Sequence, residues 1–269
     1  LSQKKTGLDL GSEYQVKIIQ IVGGFVPARF GGTQSFCYSL SRELVKKGHE
    51  VTVYTTDADI GSRLTDVHGV KNIDGIEVRY FRNLSNLMAH KYKIVLPLGM
   101  SLTVRREISN NDVIHLHNFR NFQNIVMHHY ARKYGVPYVL DAHGSTPRIH
   151  GGRGVKWICR WLFDVAFGYR ILRDASKVVA ETEVGVNEYK EFGISQDKIV
   201  LITPPFPLEE FSQLPPPGRF RSKYDIKDKQ ILLFLGRIHW IKGLDFLVES
   251  FYELTKSRSG AILVIVGSG

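Results

Sequence analysis

Four small groups of residues have types and spacings that could do chemistry. Gly236-Arg237 ends an apolar run and Lys242-Gly243 opens a helical pattern five residues later. Two cations and the free N–H groups of a helix start would converge there, which suits a diphosphate. Gly31-Gly32 sits where another helix begins, and two missing side chains let a phosphate or a second domain approach the backbone. His143-Gly144 ends the strand pattern Pro137-Tyr-Val-Leu-Asp-Ala-His-Gly144. An imidazole at such a strand end can accept a hydrogen bond from a hydroxyl or relay its proton near neutral pH. Asp141, on the strand face opposite Ala142, is not paired with His143 as an acid–base couple. His115 and His117 alternate onto one face of the short strand Asp112–His117. With His143 they are a set that could ligate zinc, which keeps a metal-dependent hydrolase as one alternative. No HExxH run or cysteine cluster accompanies them, and the expectation is no metal. His128-His129 lies on a helical pattern and reads as a packed or solvated pair.

The elements that must hold these residues alternate strand and helix. Val16–Val22 reads as a first strand and Gly23–Gly32 as a glycine-bearing loop. From Ser35 the residues Phe36, Leu40, Leu44 and Val45 form an inward helical face that ends at Gly48, and Glu50–Thr56 follows as a strand. This is a βαβ unit, yet its loop is neither G-x-G-x-x-G nor G-x-x-x-x-G-K-[ST], so dehydrogenase and P-loop readings lose their main support. Gly69–Gly75 reads as a turn, Ile76–Phe81 as a strand, and 84–109 as a segment that Pro97 and Gly99 must break into or begin as helix. Lys177–Ala180 and Ile199–Ile202 read as strands around a helix at Val184–Phe192. Ile231–Leu235 is short and continuously apolar, as a buried parallel strand would be, and puts Arg237 at its carboxyl end. Leu244, Leu247, Val248, Phe251 and Leu254 give the next helix a start near Lys242.

Composition sets the frame. Lys plus Arg outnumber Asp plus Glu by 36 to 26, and the net charge of +10 favours an anionic partner: a nucleotide, a phospholipid surface or nucleic acid. Only Cys37 and Cys159 are present, which suggests a reducing cytosol over a disulfide framework. No apolar run approaches the ~18–20 residues that span a bilayer, and the expectation is a cytoplasmic protein, soluble or peripheral to the inner face of a membrane.

The wording G-R-x-x-x-x-K-G followed by L-x-x-L-V-x-S-F over 236–251 resembles the family 4 retaining glycosyltransferases of the GT-B fold. So does the opening, in which Pro27, Gly31-Gly32, Leu40, Leu44 and Gly48-His-Glu-Val-Thr-Val-Tyr-Thr55 fall in register. The resemblance implies an α/β protein of GT-B type: a Rossmann-like N-terminal domain with a parallel sheet, and the opening βαβ unit of a second one. It implies transfer of a sugar from a nucleoside-diphosphate sugar to an acceptor hydroxyl with retention, in glycan, glycolipid or cell-surface polysaccharide synthesis, without a cofactor and without nucleic acid. Arg237 and Lys242 would hold the donor diphosphate, Gly31 and Gly32 would let backbone amides reach the donor, and His143 would contact the transferring sugar. His117 and Asn118, in Asp-Val-Ile-His-Leu-His-Asn, would line the acceptor cleft. The family's Asn-Gly is replaced by Pro205-Phe206, which puts any backbone contact from that turn in doubt.

Expected domains are a tail at 1–14, the N-terminal domain at 15–203, a Pro-rich connector at 204–228 and an incomplete C-terminal domain at 229–269, the chain ending in mid-motif at Gly267-Ser-Gly269. As a helix, 151–173 puts Val155, Ile158, Leu162, Val165, Tyr169 and Leu172 inward. Lys156, Arg160, Phe163, Phe167 and Arg170 then form an outward strip suited to an anionic membrane surface. A non-catalytic nucleotide or membrane-surface binding module is the remaining alternative.

Overall fold

The strands are written in β-branched residues that pack on a pleated surface, as in Lys17-Ile-Ile-Gln-Ile21 and Glu50-Val-Thr-Val-Tyr-Thr-Thr56. The computed structural model describes residues 14–28, 31–59, 62–67, 69–92, 94–146, 154–204 and 211–268. The tail to residue 13, the Gly151–Arg153 start proposed for the basic helix and the Pro205-Phe206 turn therefore lie outside the described residues. Two units are distinguished, Leu1–Phe206 and Pro207–Gly269.

In the first unit the elements are β1 (Lys17–Ile21), α1 (Gly32–Lys46), β2 (Glu50–Thr56), β3 (Gly69–Ile73), β4 (Ile76–Phe81), α2 (Met100–Glu107), β5 (Val113–His117), α3 (Phe122–Tyr134) and β6 (Tyr138–Asp141). There follow α4 (Val155–Phe163), a π-helical turn (Asp164–Gly168), α5 (Tyr169–Asp174), β7 (Lys177–Ala180), α6 (Glu183–Glu191) and β8 (Ile199–Leu201). The sheet order is β3-β4-β2-β1-β5-β6-β7-β8, parallel throughout except for β3 against β4. From β1 the chain goes out to β2 and β4 on one side, then returns to β5 on the other. The strand order therefore reverses between β1 and β5, and in open α/β sheets ligands bind outside the carboxyl ends of strands at such a point.

Strand alternation divides the core in two. Val51, Val53, Ile76 and Val78 pack with Cys37 of α1, while Ile19, Ile21, Ile114, Leu116, Leu140 and Val178 join a larger cluster with residues of α2, α3, α5 and α6. α1 begins at Gly32, earlier than expected, and its buried residues are Cys37 and Ser41. Small side chains on that line let the helix lie close to the sheet; Leu44 and Val45 pack half-buried beside them, and Phe36 turns elsewhere. Burial pushes the Cys37 thiol up to about 12. Gly69–Gly75, expected as a turn, holds the edge strand β3, which is polar and exposed and so carries no apolar alternation to reveal it. α2 starts directly after Gly99, whose φ of 78° is left-handed.

The helix after residue 154 keeps part of its expected orientation, with Leu172 buried and Lys156, Phe167 and Arg170 exposed, but turns the rest of its expected inward face to solvent. Val155, Ile158, Leu162, Val165 and Tyr169 face solvent, whereas Asp164, Gly168, Ile171 and Leu172 are buried. Phe163, placed in the outward strip, packs against the larger core cluster, and Arg160 is half-buried. The cause is Arg120, a cation just beyond β5. Its guanidinium donates two hydrogen bonds to the Asp164 carboxylate, Nε to Oδ1 at 2.8 Å and a terminal nitrogen to Oδ2 at 2.9 Å. It also donates to the carbonyls of Ser145 (2.6 Å) and Thr146 (2.8 Å). An unpaired buried carboxylate would be costly, so the ion pair decides which side of the helix turns in. The wider π-helical turn keeps Arg160, Asp164, Gly168 and Leu172 on that side.

The second unit contains α7 (Arg219–Lys223), β9 (Gln230–Leu235), α8 (Leu244–Ser257) and β10 (Ala261–Val266). β9 and β10 pair in parallel. α7 lies within the stretch read from the sequence as a connector. α8 buries none of its residues, and Leu233, Leu235 and Phe246 are exposed.

Candidate active site

The carboxyl ends of β1, β5, β6 and β7 bring one chain of side chains together. Gln20 points from β1, His117 ends β5, His143 stands two residues past β6, and Glu181 follows β7 directly. His117 Nε2 meets Gln20 Oε1 at 2.7 Å, His117 Nδ1 meets His143 Nε2 at 2.9 Å, and His143 Nδ1 meets Glu181 Oε1 at 2.7 Å. Phe36 of α1 packs edge-on against His143, ring centres 4.9 Å apart, and against His117 at 5.9 Å. Phe36, expected to face the core, therefore covers the two imidazoles and brings the start of α1 beside them.

The backbone is shaped to present these groups. His143 has φ of 47° and Asn118 has φ of 64°, both left-handed. A residue other than glycine holds such a conformation only when its surroundings impose it. For His143 the restraint is Asp141, whose Oδ1 accepts the His143 backbone N–H at 3.0 Å and lies 3.5 Å from Nδ1. Asp141 was not expected to pair with His143 as an acid–base couple; its carboxylate lies on the same side and holds the backbone, while the Nδ1 hydrogen bond goes to Glu181. The Asn118 N–H donates to the Asp141 carbonyl at 2.8 Å, tying the two strand ends together.

Proton placement follows from the partners. A carboxylate only accepts, so His143 Nδ1 carries the proton it shares with Glu181. Nε2 is then the nitrogen that faces His117. Burial, with the charges of His115 and His143 adding to it, holds the His117 imidazole well below its ordinary pKa, so it is neutral and has a single N–H. If that N–H donates to His143, Nε2 of His117 accepts from the Gln20 amide turned over, which also gives a partner to the otherwise unpaired Gln20 Nε2. If it donates to Gln20, His143 is doubly protonated. Burial likewise pushes His115 down to about 3, with the His143 charge second, and its enclosed Nε2 has no partner. Burial raises the Asp141 carboxyl above the usual carboxylate range, against the lowering effect of His143.

Among the described residues, the donor atoms that gather within 4.8 Å of one another are those of Asp141, His143 and Glu181, not the three histidines expected as a zinc set. His117 and His143 are directly hydrogen bonded, which uses the nitrogens a shared ion would need. His117 is also fully buried, so its ring is not open to a cleft; Asn118 is half-buried at the strand end. Gly31 is the residue before α1, and no side chain caps that helix. Among the described residues, a Cβ added at Gly31 or Gly32 would meet nothing within 4 Å, so packing against them does not require glycine there.

In the second unit Arg237 and Lys242 are both exposed, and neither has an ion-pair partner among the described residues. Lys242 closes a 3-10 turn (Trp240–Lys242), and Gly243, left-handed at φ of 63°, separates it from α8. The helix thus starts at Leu244, two residues later than expected. Glu181 and Gln20 had no part in the sequence reading. The only local signal was an acidic residue at the end of a strand, and their partners lie 38 and 97 residues away along the chain.

A doubly wound parallel sheet with polar groups gathered at its switch point is a Rossmann-like α/β unit with a candidate ligand site at its strand ends. The family model for Glycosyltransferase Family 4 matches residues 30–210, and the chain belongs to that family. A D-inositol 3-phosphate glycosyltransferase of Kineococcus radiotolerans is 31% identical over 106 residues, covering 36% of this chain and 24% of its own length. Anabaena HepE in complex with UDP and glucose superposes with a TM-score of 0.65 at 14% identity, over 95% of this chain and 62% of that one. The E. coli trehalose-6-phosphate protein bound with UDP-2-fluoro glucose gives 0.60 at 12% identity, over 94% of this chain and 65% of that one. The chain thus spans under two thirds of these structures and about a quarter of the curated relative. No helix among the described residues is long and apolar enough to cross a membrane.

Proposed function

We propose that the protein transfers a sugar from a nucleoside-diphosphate donor to an acceptor hydroxyl with retention at the anomeric carbon, in the synthesis of a glycan, glycolipid or surface polysaccharide. The observation that carries this reading is the Glu181–His143–His117–Gln20 chain at the switch point of a family 4 sheet. Sugar nucleotides bound to proteins of the same fold support the donor class.

In this reading His143 contacts the transferring sugar. Glu181 fixes its Nδ1–H, so Nε2 faces the reacting hydroxyls once it turns from His117. His117, buried behind it, positions His143, and Asn118 forms the wall on the acceptor side. The uncapped start of α1 at Gly31-Gly32 offers backbone N–H groups to the donor. Arg237 and Lys242 stabilise the charge that grows on the leaving diphosphate.

Calorimetry with UDP, ADP and GDP, followed by assay of diphosphate release from the matching sugar nucleotides, tests the proposal. One nucleoside diphosphate should bind, and Arg237→Ala and Lys242→Ala should each weaken it about tenfold or more, since charge-assisted bonds contribute roughly 1.5–3 kcal/mol. Unchanged affinity in both variants would remove the diphosphate site. Binding without turnover in the full-length protein would favour a non-catalytic module.

A further inference from the structure

α4 exposes an apolar ridge where a solvated helix would be polar. Ile158, Leu162 and Val165 are 49%, 54% and 52% exposed, and Trp157, Trp161 and Tyr169 flank them. The helix cannot rotate to hide this ridge, because Asp164 on its other side is held by Arg120 in a buried, doubly hydrogen-bonded pair. Beside the ridge, Phe167 and Arg170 also line a groove of about 500 Å³ shared with His129, Arg132 and Lys133 of α3. The acid nearby is Asp174, which pairs with Arg132 at 3.4 Å and with His128 at 3.0 Å. One carboxylate against Arg132, Lys133 and Arg170 leaves the groove net positive.

We propose that this ridge and groove dock the protein on an anionic phospholipid bilayer, the ridge lying at the boundary between headgroups and acyl chains and the groove taking a headgroup phosphate. Tryptophan and tyrosine have an apolar body and a polar edge that suit such a boundary. Charge selects the bilayer over a second copy of the chain: a two-fold interface through the ridge would bring two cationic grooves of a protein with net charge +10 together. An anionic leaflet instead meets each cation with an opposite charge. The surface differs from the strip expected from the sequence, since Phe163 and Arg160 turn inward and the ridge itself supplies the apolar contact. The proposal is independent of the sugar-transfer reading, and nucleotide calorimetry on the variants below keeps the two apart.

The test is co-sedimentation with phosphatidylcholine vesicles, with and without phosphatidylglycerol, at low and high salt. In a Trp240→Phe background the emission of Trp157 and Trp161 is followed as well. Wild-type protein should bind anionic vesicles at least tenfold tighter than neutral ones, lose that preference at high salt and shift its emission to the blue. Arg132→Gln/Lys133→Gln/Arg170→Gln should weaken anionic binding about a hundredfold, at roughly a fivefold loss for each charge. Ile158→Glu/Leu162→Glu should abolish binding and the blue shift while nucleotide affinity stays unchanged. Equal binding to both vesicles, or no loss in the triple Gln variant, would overturn the proposal. So would a dimer in sedimentation equilibrium that Ile158→Glu/Leu162→Glu dissociates while no vesicle is bound.

Discussion

Glu181 and His143 meet through one nitrogen, and that fixes what each can do. With Nδ1–H committed to the carboxylate, the ring's other nitrogen meets His117, and losing the carboxylate frees the ring to choose another tautomer. Glu181→Gln and His143→Ala are expected to lower turnover by roughly tenfold or more while changing donor affinity less than twofold. Steady-state kinetics beside calorimetry separates the two quantities. Wild-type turnover in Glu181→Gln would make the carboxylate a structural partner only. The neighbouring histidines carry a stability signature. An unfolded imidazole titrates near ~6.5, whereas burial holds His115 down to about 3 and His117 well below its ordinary value. Between these limits the unfolded chain binds protons that the folded chain refuses. Stability is therefore present above ~6.5 and is lost as pH falls through that value, with His115 alone accounting for about 1–2 kcal/mol at pH 5. Asp141, raised by burial, acts in the opposite sense: its neutral form is favoured in the fold, so its share is lost as pH rises through a window that opens near ~3.9. Urea melts at pH 7 and pH 5 should show the loss, and His115→Leu should make the dependence shallower. Equal slopes for wild type and His115→Leu would show that His115 is protonated in the fold.

Arg120 acts at the scale of elements, because one guanidinium joins the loop after β6 to the π-helical turn after α4. Asp164 is fully buried in that pair, and taking away its charge strands a cation among Phe119, Phe192 and two carbonyls. Asp164→Ala should cost about 3–5 kcal/mol, far more than Glu43→Ala, which breaks the solvent-exposed pair Lys46–Glu43. Chemical denaturation of both variants checks the contrast, and a loss below about 1 kcal/mol for Asp164→Ala would mean the pair does not set the helix orientation. The same pair marks the limit of what the sequence could show. β2, β4 and β7 run over the spans expected for them, because each is a short run rich in β-branched and aromatic residues bounded by turns. The periodicity of α4 was legible too, but its direction was not. A helix that buries an ion pair and a glycine looks, residue by residue, like one that buries its valine and leucines, and Arg120 lies 44 positions away from Asp164. The site divides the same way: His143 and His117 were visible as residues at strand ends, while Gln20, Asp141 and Glu181 gained their roles only when parallel pairing set β1, β5, β6 and β7 side by side.

At the scale of the whole molecule the two units differ in how much of themselves they enclose. The strands of Leu1–Phe206 have two hydrophobic clusters, with Ile19, Ile21, Val53, Ile114, Leu116 and Leu140 shut off from solvent. Among the described residues of Pro207–Gly269 the buried hydrophobic one is Ile226, and Leu233, Leu235, Phe246 and Tyr252 are exposed. Local opening is easiest where few apolar groups are buried and backbone hydrogen bonds are near solvent. A two-stranded ladder covered by a single helix is marginal by itself. A chain of these 269 residues should therefore exchange its amide hydrogens unevenly, slowly in β1, β2, β5 and β6 and much faster in β9 and β10. Exchange followed by mass spectrometry over seconds to hours should give protection at least a hundredfold higher in the first set, a gap of about 2.7 kcal/mol in opening free energy. In the proposed reading a nucleoside diphosphate held by Arg237 and Lys242 should slow exchange around 236–244, since a ligand that binds only the closed form stabilises it in proportion to its occupancy. Protection of 230–266 equal to that of 17–21 and 113–117, in a monomer without ligand, would show that the second unit is held by interactions its burial does not reveal.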